Sequence, residues 1–424
     1  MFLALRSVLE VGAEFLPKAV HAAFLIFLLT HLKSIIEKTS KQPKQKQRVH
    51  RHCVSARGSM IRTFALITAL AITVQCQDDR RPFYVIGHMV NSIPQVSQFL
   101  ELGANAIESD VEFSENGTAL RTFHGLPCDC LRRCKESADI VDYFQYIRNV
   151  TGFRHSQYSE KLLLVFLDLK VSKLPPESKY AAGVDIATKL VLHLWDGVPF
   201  YDTMNVLLSI GRASDMAVLT GAIDTIIGFD PSLSLFNHVG FDVGLNDKLE
   251  NIAKMYERLG VNGHRWQGDG ITNCLVNLRS PLRLKETISY RDTNKRESYV
   301  DKVYYWTVDK VATIRKTIRR GVDAIITNRP KRVTGVLEED EFKKTVRLAT
   351  YRDDPWMRLQ SKTTERRPNE PDSDMDEMGD EASEFDFEPF SYPLSPRRPL
   401  SSRSPAIRDS YNVWPQHNPL SPFY

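Results

Sequence analysis

Short apolar runs recur along the middle of the chain and alternate with longer mixed segments. Several runs are apolar at consecutive positions, which is typical of strands buried on both faces. The segments between them, such as 92–102 and 311–320, have the apolar spacing of amphipathic helices. The predicted strands are FYVIG (83–87), AIESDVEF (106–113), LLLVFLDL (162–169), VLLSI (206–210), IIGFD (226–230), KVYYWTV (302–308) and DAIITN (323–328).

This alternation predicts the fold class. From Phe83 to about Val336 it extends over about 250 residues, a length that favours a parallel sheet closed into a (β/α)8 TIM barrel. A doubly wound open sheet is the alternative. No glycine fingerprint for a dinucleotide or phosphate follows the first strand, which weakens that alternative. The prediction is an α/β protein with a TIM barrel.

The segment before the barrel has the form of a secretory signal. Residues 60–76 (MIRTFALITALAITVQC) contain one arginine, an apolar stretch and a plausible cleavage site with Val74 and Cys76 at positions −3 and −1. Because a signal peptide begins a protein, we expect Met60 to be the working start and residues 1–59 to be an upstream extension absent from the mature protein. An anchor at 22–32 is the alternative, although this run is short of the roughly 20 residues of a membrane span.

The composition changes again after the barrel. We assign 77–360 to the barrel domain, in which the segment 349–356 has no evident catalytic chemistry and is given a structural role. Residues 361–424 are first acidic and poor in aliphatic side chains, then rich in Ser, Pro and Arg. Such a sequence cannot bury enough apolar surface to order itself, so we expect a disordered tail.

The charge of the whole chain argues against one class of partner. Lysine and arginine number 56 against 52 aspartates and glutamates, a net charge of +4. This balance gives no reason to expect a nucleic-acid partner. Nothing in the sequence indicates an obligate protein partner either.

Polar residues interrupt the apolar pattern where the first three predicted strands end. In a parallel barrel the chemistry gathers at the carboxyl ends of the strands, so we expect these side chains to converge. Glu108 and Asp110 are two residues apart on one strand and therefore project to the same side. The set comprises His88, Glu108, Asp110, His124, Asp168 and Lys170.

The three carboxylates of this set predict a metal site. Three such groups in an apolar setting repel one another, and a bound divalent cation removes that cost. Oxygen ligands favour a hard ion, Mg²⁺ ahead of Ca²⁺ or Mn²⁺. Neither histidine is needed as a ligand, so the pair is available for acid–base chemistry on a phosphate ester. The alternative is a set of unrelated hydrogen-bonded or salt-bridged residues.

Several motifs together identify a family resemblance. GHMVN, LGANAIESDV, HGLPCDC, GHRWQGDGITNC, VYYWTVDK, GVDAIITN and LATYRDDPW resemble, in this order, the sphingomyelinase D / phospholipase D toxins of spider venoms, also called dermonecrotic toxins. The resemblance extends from about Arg81 to Trp356. It implies a secreted enzyme with a glycerophosphodiesterase-like TIM barrel and one Mg²⁺, acting on sphingomyelin and lysophospholipids. It also implies that a substrate hydroxyl expels choline and leaves a cyclic phosphate.

The resemblance also implies roles for individual residues. His88 and His124 match the catalytic pair, and Glu108, Asp110 and Asp168 match the metal ligands. The substrate-binding positions are Lys170, Ser209, Tyr304, Trp306 and Asn328. Tyr304 and Trp306 alternate along one strand, so both can face a quaternary ammonium; a purely structural aromatic strand is the alternative. Two other functions stay open: a glycerophosphodiester phosphodiesterase, and a non-catalytic lipid-binding relative.

The cysteines and sequons agree with secretion. Cys128, Cys130 and Cys134 cluster and Cys274 is distant; the spacing is unusual for zinc, and a secreted chain favours disulfides. Four cysteines allow three pairings, and the resemblance points to Cys128–Cys134 with Cys130–Cys274. NGT and NVT are potential glycosylation sequons. Their acceptors are Asn116 and Asn149.

Overall fold

Eight parallel strands form a barrel in the computed structural model, which describes residues 78–125, 128, 130, 134–293 and 298–358. The strands of the described residues are Arg81–Gly87 (β1), Ala106–Phe113 (β2), Ala119–Thr122 (β3), Ala138–Asp139 (β4), Leu164–Leu169 (β5), Asn205–Ile210 (β6), Val239–Val243 (β7), Trp266–Gly270 (β8), Lys302–Trp306 (β9), Ala324–Thr327 (β10) and Val346–Leu348 (β11). The barrel order is β7-β6-β5-β2-β1-β10-β9-β8, and a bridge between Phe241 and Arg265 closes it. The predicted TIM barrel is confirmed.

The barrel strands alternate with helices, as a βα-repeat requires. Among the described residues the α-helices are Ile93–Glu101 (α1), Ile140–Thr151 (α2), Pro176–Lys189 (α3), Met216–Phe229 (α4), Leu249–Leu259 (α5), Leu282–Asp292 (α6), Val311–Arg319 (α7) and Pro330–Leu337 (α8). A π-helix, Leu190–Trp195, continues α3, and short 3-10 turns cover Phe200–Asp202, Ala213–Asp215, Leu235–His238 and Val276–Leu278. None of the described helices is long and apolar enough to cross a bilayer.

Two apolar layers stabilise this architecture. One lies between the strands and the surrounding helices, and the other fills the inside of the barrel. The inner layer is aromatic at its centre, where Tyr84 packs edge-to-face on Trp266 with ring centroids 5.4 Å apart. The inner layer includes Tyr84, Ile86, Phe166, Leu207, Trp266, Tyr304, Ile326 and Trp356.

The segment 349–356 closes one end of the barrel, as its assigned structural role predicts. Trp356 inserts against Gly240, where a Cβ atom would lie 2.2 Å from the indole. Its Nε1 donates to the carbonyl of Asn237 at 2.8 Å, while Trp266 Nε1 donates to the carbonyl of Pro355 at 3.0 Å. The segment 349–356 therefore closes the barrel at the amino-terminal ends of the strands and leaves the opposite end open for chemistry.

One predicted strand is wrong. The run IIGFD (226–230) lies at the end of α4, which packs closely on α3. At Gly183 a Cβ atom would lie 1.9 Å from the carbonyl oxygen of Val218, so small residues allow the two helices to touch. A short apolar run has the same pattern in a buried strand and a buried helix. The fifth and sixth barrel strands are instead β7 and β8, which the apolar pattern missed.

The segments predicted before and after the barrel domain lie in parts of the chain that the structure does not describe. The extension 1–59, the signal 60–76 and the tail 361–424 lie outside the described residues. The assignments made for them stay predictions.

Candidate active site

Parallel register brings the acidic residues of separate strands into one row. Asp110 on β2 is level with Asp168 on β5, which is level with Ser209 on β6. Side chains level with each other on adjacent parallel strands project to the same side of the sheet. Asp110 and Glu108 are almost completely buried, whereas Asp168 is half-buried at the mouth of the barrel.

The three predicted ligands form the expected cluster. Glu108, Asp110 and Asp168 each offer a carboxylate oxygen, and these oxygens lie within 4.8 Å of one another. Desolvation, together with the charges of Asp110 and Asp168, raises the pKa of Glu108 well above its usual range. A divalent cation would relieve this repulsion, and an all-oxygen donor set fits a hard ion such as Mg²⁺. The residues therefore fit a metal site.

Fixed donors orient two of these carboxylates. The backbone N–H of Met89 donates to Glu108 Oε2 at 2.7 Å, and Asn91 Nδ2 donates to Asp110 Oδ2 at 2.7 Å. Burial opposes ionisation of Asp110, but the charges of Lys170 and His124 and the bond from Asn91 leave its pKa below the usual value. Asp110 is therefore the carboxylate that stays charged, and Glu108 is the one that needs a cation.

Lys170 bridges two of the ligands. Its Nζ lies 2.7 Å from Asp110 Oδ1 and 2.5 Å from Asp168 Oδ2. Burial acts to lower the pKa of Lys170, yet the neighbouring carboxylates raise it above its ordinary value. The ammonium group is therefore charged and close to any phosphate oxygen that enters the cavity beside the cluster.

The two predicted catalytic histidines lie at the open end of the barrel. His88 directly follows β1, and its Nδ1 lies 3.0 Å from Asn328 Oδ1. His124 follows β3, which forms a hairpin with β2 and returns the chain to the cavity. His124 Nδ1 lies 3.1 Å from the carbonyl of Gly125. In each neutral ring this arrangement places the proton on Nδ1 and the lone pair on Nε2.

One cavity of about 480 Å³ brings nearly the whole predicted set together. Asn328 is not among the residues that line it and instead supports His88 from behind. The predicted residues that line the cavity are His88, Glu108, Asp110, His124, Asp168, Lys170, Ser209, Tyr304 and Trp306.

Three residues of the site were missed by sequence reasoning. Asp309 follows β9 and accepts hydrogen bonds from Asn328 through both side-chain and backbone N–H groups, at 2.9 and 2.8 Å. Asn91 orients Asp110, and Asp242 accepts a hydrogen bond from Tyr304. Asn91 and Asp309 stand inside GHMVN and VYYWTVDK and could have been found there. Asp242 had no such signal, because β7 was not predicted.

Both predicted disulfides form beside the cavity. Cys128–Cys134 and Cys130–Cys274 have Cα atoms 6.0 and 5.9 Å apart. The second joins the loop after β3 to the loop after β8, and Cys128, Cys130 and Cys274 line the cavity. The pairing leaves no zinc site for these four thiols. The sequon residues Asn116 and Asn149 are both exposed, and their glycosylation stays a prediction.

Comparison with known proteins agrees with these features. The Dermonecrotic toxin SPH family matches residues 78–356. The chain is 97% identical over 365 residues to the Dermonecrotic toxin SPH of Ixodes scapularis, with 86% of this chain and 100% of that protein covered. It is 43% identical over 281 residues to the dermonecrotic toxin StSicTox-betaIB1i of Sicarius terrosus, with 66% and 99% covered.

Among solved structures the chain is similar to a glycerophosphoryl diester phosphodiesterase of Silicibacter pomeroyi, at 13% identity and a TM-score of 0.40, over 62% of this chain and 96% of that one. The family match covers almost the entire barrel and confirms the expected resemblance, and with it the expected class of enzyme, a phosphodiesterase. The chain belongs to the dermonecrotic toxin SPH family.

Proposed function

We propose that the protein is a secreted, Mg²⁺-dependent enzyme of the phospholipase D type, a phosphorus–oxygen lyase. It releases choline from sphingomyelin and lysophospholipids at a membrane surface and leaves a cyclic phosphate. The observation that carries the proposal is the cavity shared by His88, His124 and the carboxylate cluster. Metal-assisted phosphoryl transfer requires acid–base residues beside a metal site.

The cluster supplies the electrostatic part of this chemistry. Glu108, Asp110 and Asp168 would hold one Mg²⁺, which when bound polarises phosphate oxygens and neutralises developing charge. Lys170, already between Asp110 and Asp168, adds a second positive charge for the phosphate.

The histidines transfer the protons. A hydroxyl oxygen of the substrate attacks phosphorus, and one histidine takes its proton. The bond between phosphorus and the head-group oxygen breaks, and the other histidine gives its proton to that oxygen. Attack from within the same molecule makes the phosphate cyclic, so no water enters the step. The Nδ1 contacts of His88 and His124 support this division, because each neutral ring then presents Nε2 as a base and each protonated ring is an acid.

The aromatic wall of the cavity suits a cationic head group. Tyr304 and Trp306 both line the cavity, as their alternation on β9 predicts. A quaternary ammonium is attracted to the face of an aromatic ring. Ser209 adds a hydroxyl to the same wall.

Secretion rests on two supports. Two disulfides are typical of oxidising compartments, and the two relatives described above are named as toxins. The proposal includes a phospholipid or sphingolipid as the substrate and neither a nucleic acid nor an obligate protein partner.

A head-group release assay with Mg²⁺ tests the proposal. Secreted full-length protein is given sphingomyelin, lysophosphatidylcholine, ceramide phosphoethanolamine or glycerophosphocholine, and the phosphorus product is identified by ³¹P NMR. We expect choline release from the first two with a cyclic phosphate signal. Hydrolysis of glycerophosphocholine to a linear phosphomonoester would instead identify a glycerophosphodiester phosphodiesterase. Absence of release from every substrate would contradict the proposal and favour the non-catalytic lipid-binding relative.

A further inference from the structure

A buried carboxylate that the proposed chemistry does not use lies behind the aromatic wall of the cavity. Asp242 on β7 is completely buried. Its Oδ2 accepts hydrogen bonds from Ser209 Oγ at 2.7 Å and from the Tyr304 hydroxyl at 2.9 Å. Its Oδ1 is buried without a hydrogen-bond partner among the described residues. A carboxylate that is completely buried is costly to keep charged, so its presence calls for an explanation.

Asp242 continues the row of the metal ligands. Ser209, which is level with Asp168, is also level with Asp242. Asp242 therefore lies one strand beyond Ser209, away from the metal cluster and on the side of the aromatic residues. Ser209 stands between Asp242 and the metal cluster. The negative charge of Asp242 is therefore available to the head-group side of the cavity.

The ring of Tyr304 is held from three sides. Phe166 contacts it edge-to-face with centroids 5.4 Å apart. On another side a Cβ atom on Gly268 would lie 2.3 Å from Cζ of the ring. The ring therefore fits in this position only because residue 268 is a glycine. The bond to Asp242 fixes the remaining end, the hydroxyl. A phenol that donates to a carboxylate also has a more negative ring, which strengthens its attraction for a cation.

The environment of Asp242 favours a cation nearby. Burial raises the pKa of Asp242 to about 7, although the bonds from Ser209 and Tyr304 oppose this effect. A positive head group in the adjoining cavity would stabilise the charged carboxylate. The energetic cost of burying the group is thus reduced when a cationic ligand is bound.

We propose that Asp242 is a positioning residue that orients Tyr304 and supplies the negative charge by which the cavity selects a head group carrying an ammonium. Asp242 does not line the cavity, so it acts through Tyr304 and through its field rather than by contact with the ligand. This inference rests on the proposed function, because it takes Tyr304 and Trp306 as the head-group wall.

Binding of two small probes tests the inference without any reaction. Full-length protein with Mg²⁺ is titrated calorimetrically with phosphocholine and with methyl phosphate, which lacks the ammonium. We expect Asp242→Asn, which has the same shape without the charge, to weaken phosphocholine binding about five- to tenfold. Methyl phosphate affinity should change less than about twofold, since its contacts lie at the metal cluster and Lys170. Equal losses for both probes, or no loss for either, would overturn the inference.

A second variant and a control complete the test. Tyr304→Phe removes only the hydroxyl and should also weaken phosphocholine selectively, and the double variant should lose no more than the stronger single one. If Asp242→Asn does not fold, unchanged phosphocholine affinity in Tyr304→Phe overturns the inference. Asp215→Asn is the matched control, because Asp215 is also a buried carboxylate with an unpartnered oxygen but is bound to Lys179 outside the barrel. Its probe affinities should equal those of the wild type.

The outcomes separate this inference from the proposed function. A wild-type protein that discriminates the probes through Asp242 but releases no head group leaves the inference standing and removes the proposed chemistry. A wild-type protein that releases choline but binds the two probes equally overturns the inference alone.

Discussion

The Nδ1 atom of His88 lies 3.0 Å from the side-chain oxygen of Asn328. The nitrogen of the same amide donates to Asp309 Oδ2 at 2.9 Å. A carboxylate accepts and cannot donate, so Asp309 fixes the amide with its oxygen toward His88. That oxygen requires the proton of the neutral imidazole to be on Nδ1, which leaves the lone pair on Nε2. Asp309 thereby decides which nitrogen of His88 is the base.

Replacing this orienting carboxylate should affect the chemical step more than binding. We expect Asp309→Asn to lower kcat for head-group release roughly 100-fold with little change in KM, because an amide at this position no longer fixes Asn328. Steady-state kinetics on sphingomyelin measure both constants. The control Asp224→Asn removes an exposed carboxylate bound to Tyr180 and should behave as wild type. A wild-type kcat in Asp309→Asn would contradict this role.

Removal of either histidine should abolish release. His88→Ala and His124→Ala are each expected to lower kcat at least about 100- to 10,000-fold, because each proton transfer loses its donor or acceptor. Choline release and circular dichroism together separate lost chemistry from lost fold. His193→Ala, which removes a histidine outside the cavity, is the matched control. Residual activity of tens of per cent in either catalytic variant would disprove the assignment.

Metal removal should stop activity and lower stability. The raised pKa of Glu108 means that the metal-free folded state holds this proton more tightly than the unfolded state does. The contribution of Glu108 to metal-free stability is therefore fully present below the ordinary glutamate pKa and is lost as the pH rises through the folded-state value. We expect Mg²⁺ at about 100 times its Kd to add about 2.7 kcal/mol at neutral pH.

Thermal unfolding and activity check this metal prediction. Wild-type Tm should rise with added Mg²⁺ and activity should vanish with EDTA and return with Mg²⁺. Glu108→Gln should show neither the Tm increase nor the rescue, since it replaces a charged ligand by a neutral amide and so removes the negative charge that the cation would balance. Activity that is indifferent to chelator would count against the three-carboxylate site.

A buried ion pair far from the site should control acid stability. Asp323 is fully buried and lies 2.6 Å from Arg291 Nη1. Desolvation acts to raise the pKa of Asp323, but the charges of Arg291, Lys302 and Arg81 lower it overall. The stabilisation is therefore present above the ordinary aspartate pKa of about 4 and is lost as the pH falls through the lower folded-state value.

Urea unfolding at pH 7 and at pH 3 measures this contribution. Asp323→Asn should cost about 3–5 kcal/mol at pH 7 and less at pH 3, because it removes the buried carboxylate that balances Arg291, Arg81 and Lys302. Arg291 then keeps the partly exposed Asp292 as a counter-charge. Glu341→Gln, which breaks an exposed pair with Arg319, should leave the free energy of unfolding unchanged at both pH values. A cost for Asp323→Asn that grows toward low pH would refute the sign of this prediction.

The sequence determined the barrel and most of the candidate site. Apolar runs at regular intervals predicted six of its eight strands, and the interruptions at His88, Glu108, Asp110 and Asp168 marked the end of the barrel where the cavity lies. These features were readable because strand periodicity and chain position are local properties, and because the motifs around them stand in the order of a known family.

Only the tertiary structure decided how that site is supported. Asn328 reaches His88 across 240 positions of the chain, and Tyr304 reaches Asp242 across 62. The helical state of 226–229 and the place of Asp242 on an unpredicted strand likewise depend on packing. A hydrogen bond between distant residues leaves no periodic trace, since each partner alone is an ordinary polar residue. The register of the closed barrel brings them together, and that register is a property of the whole sheet.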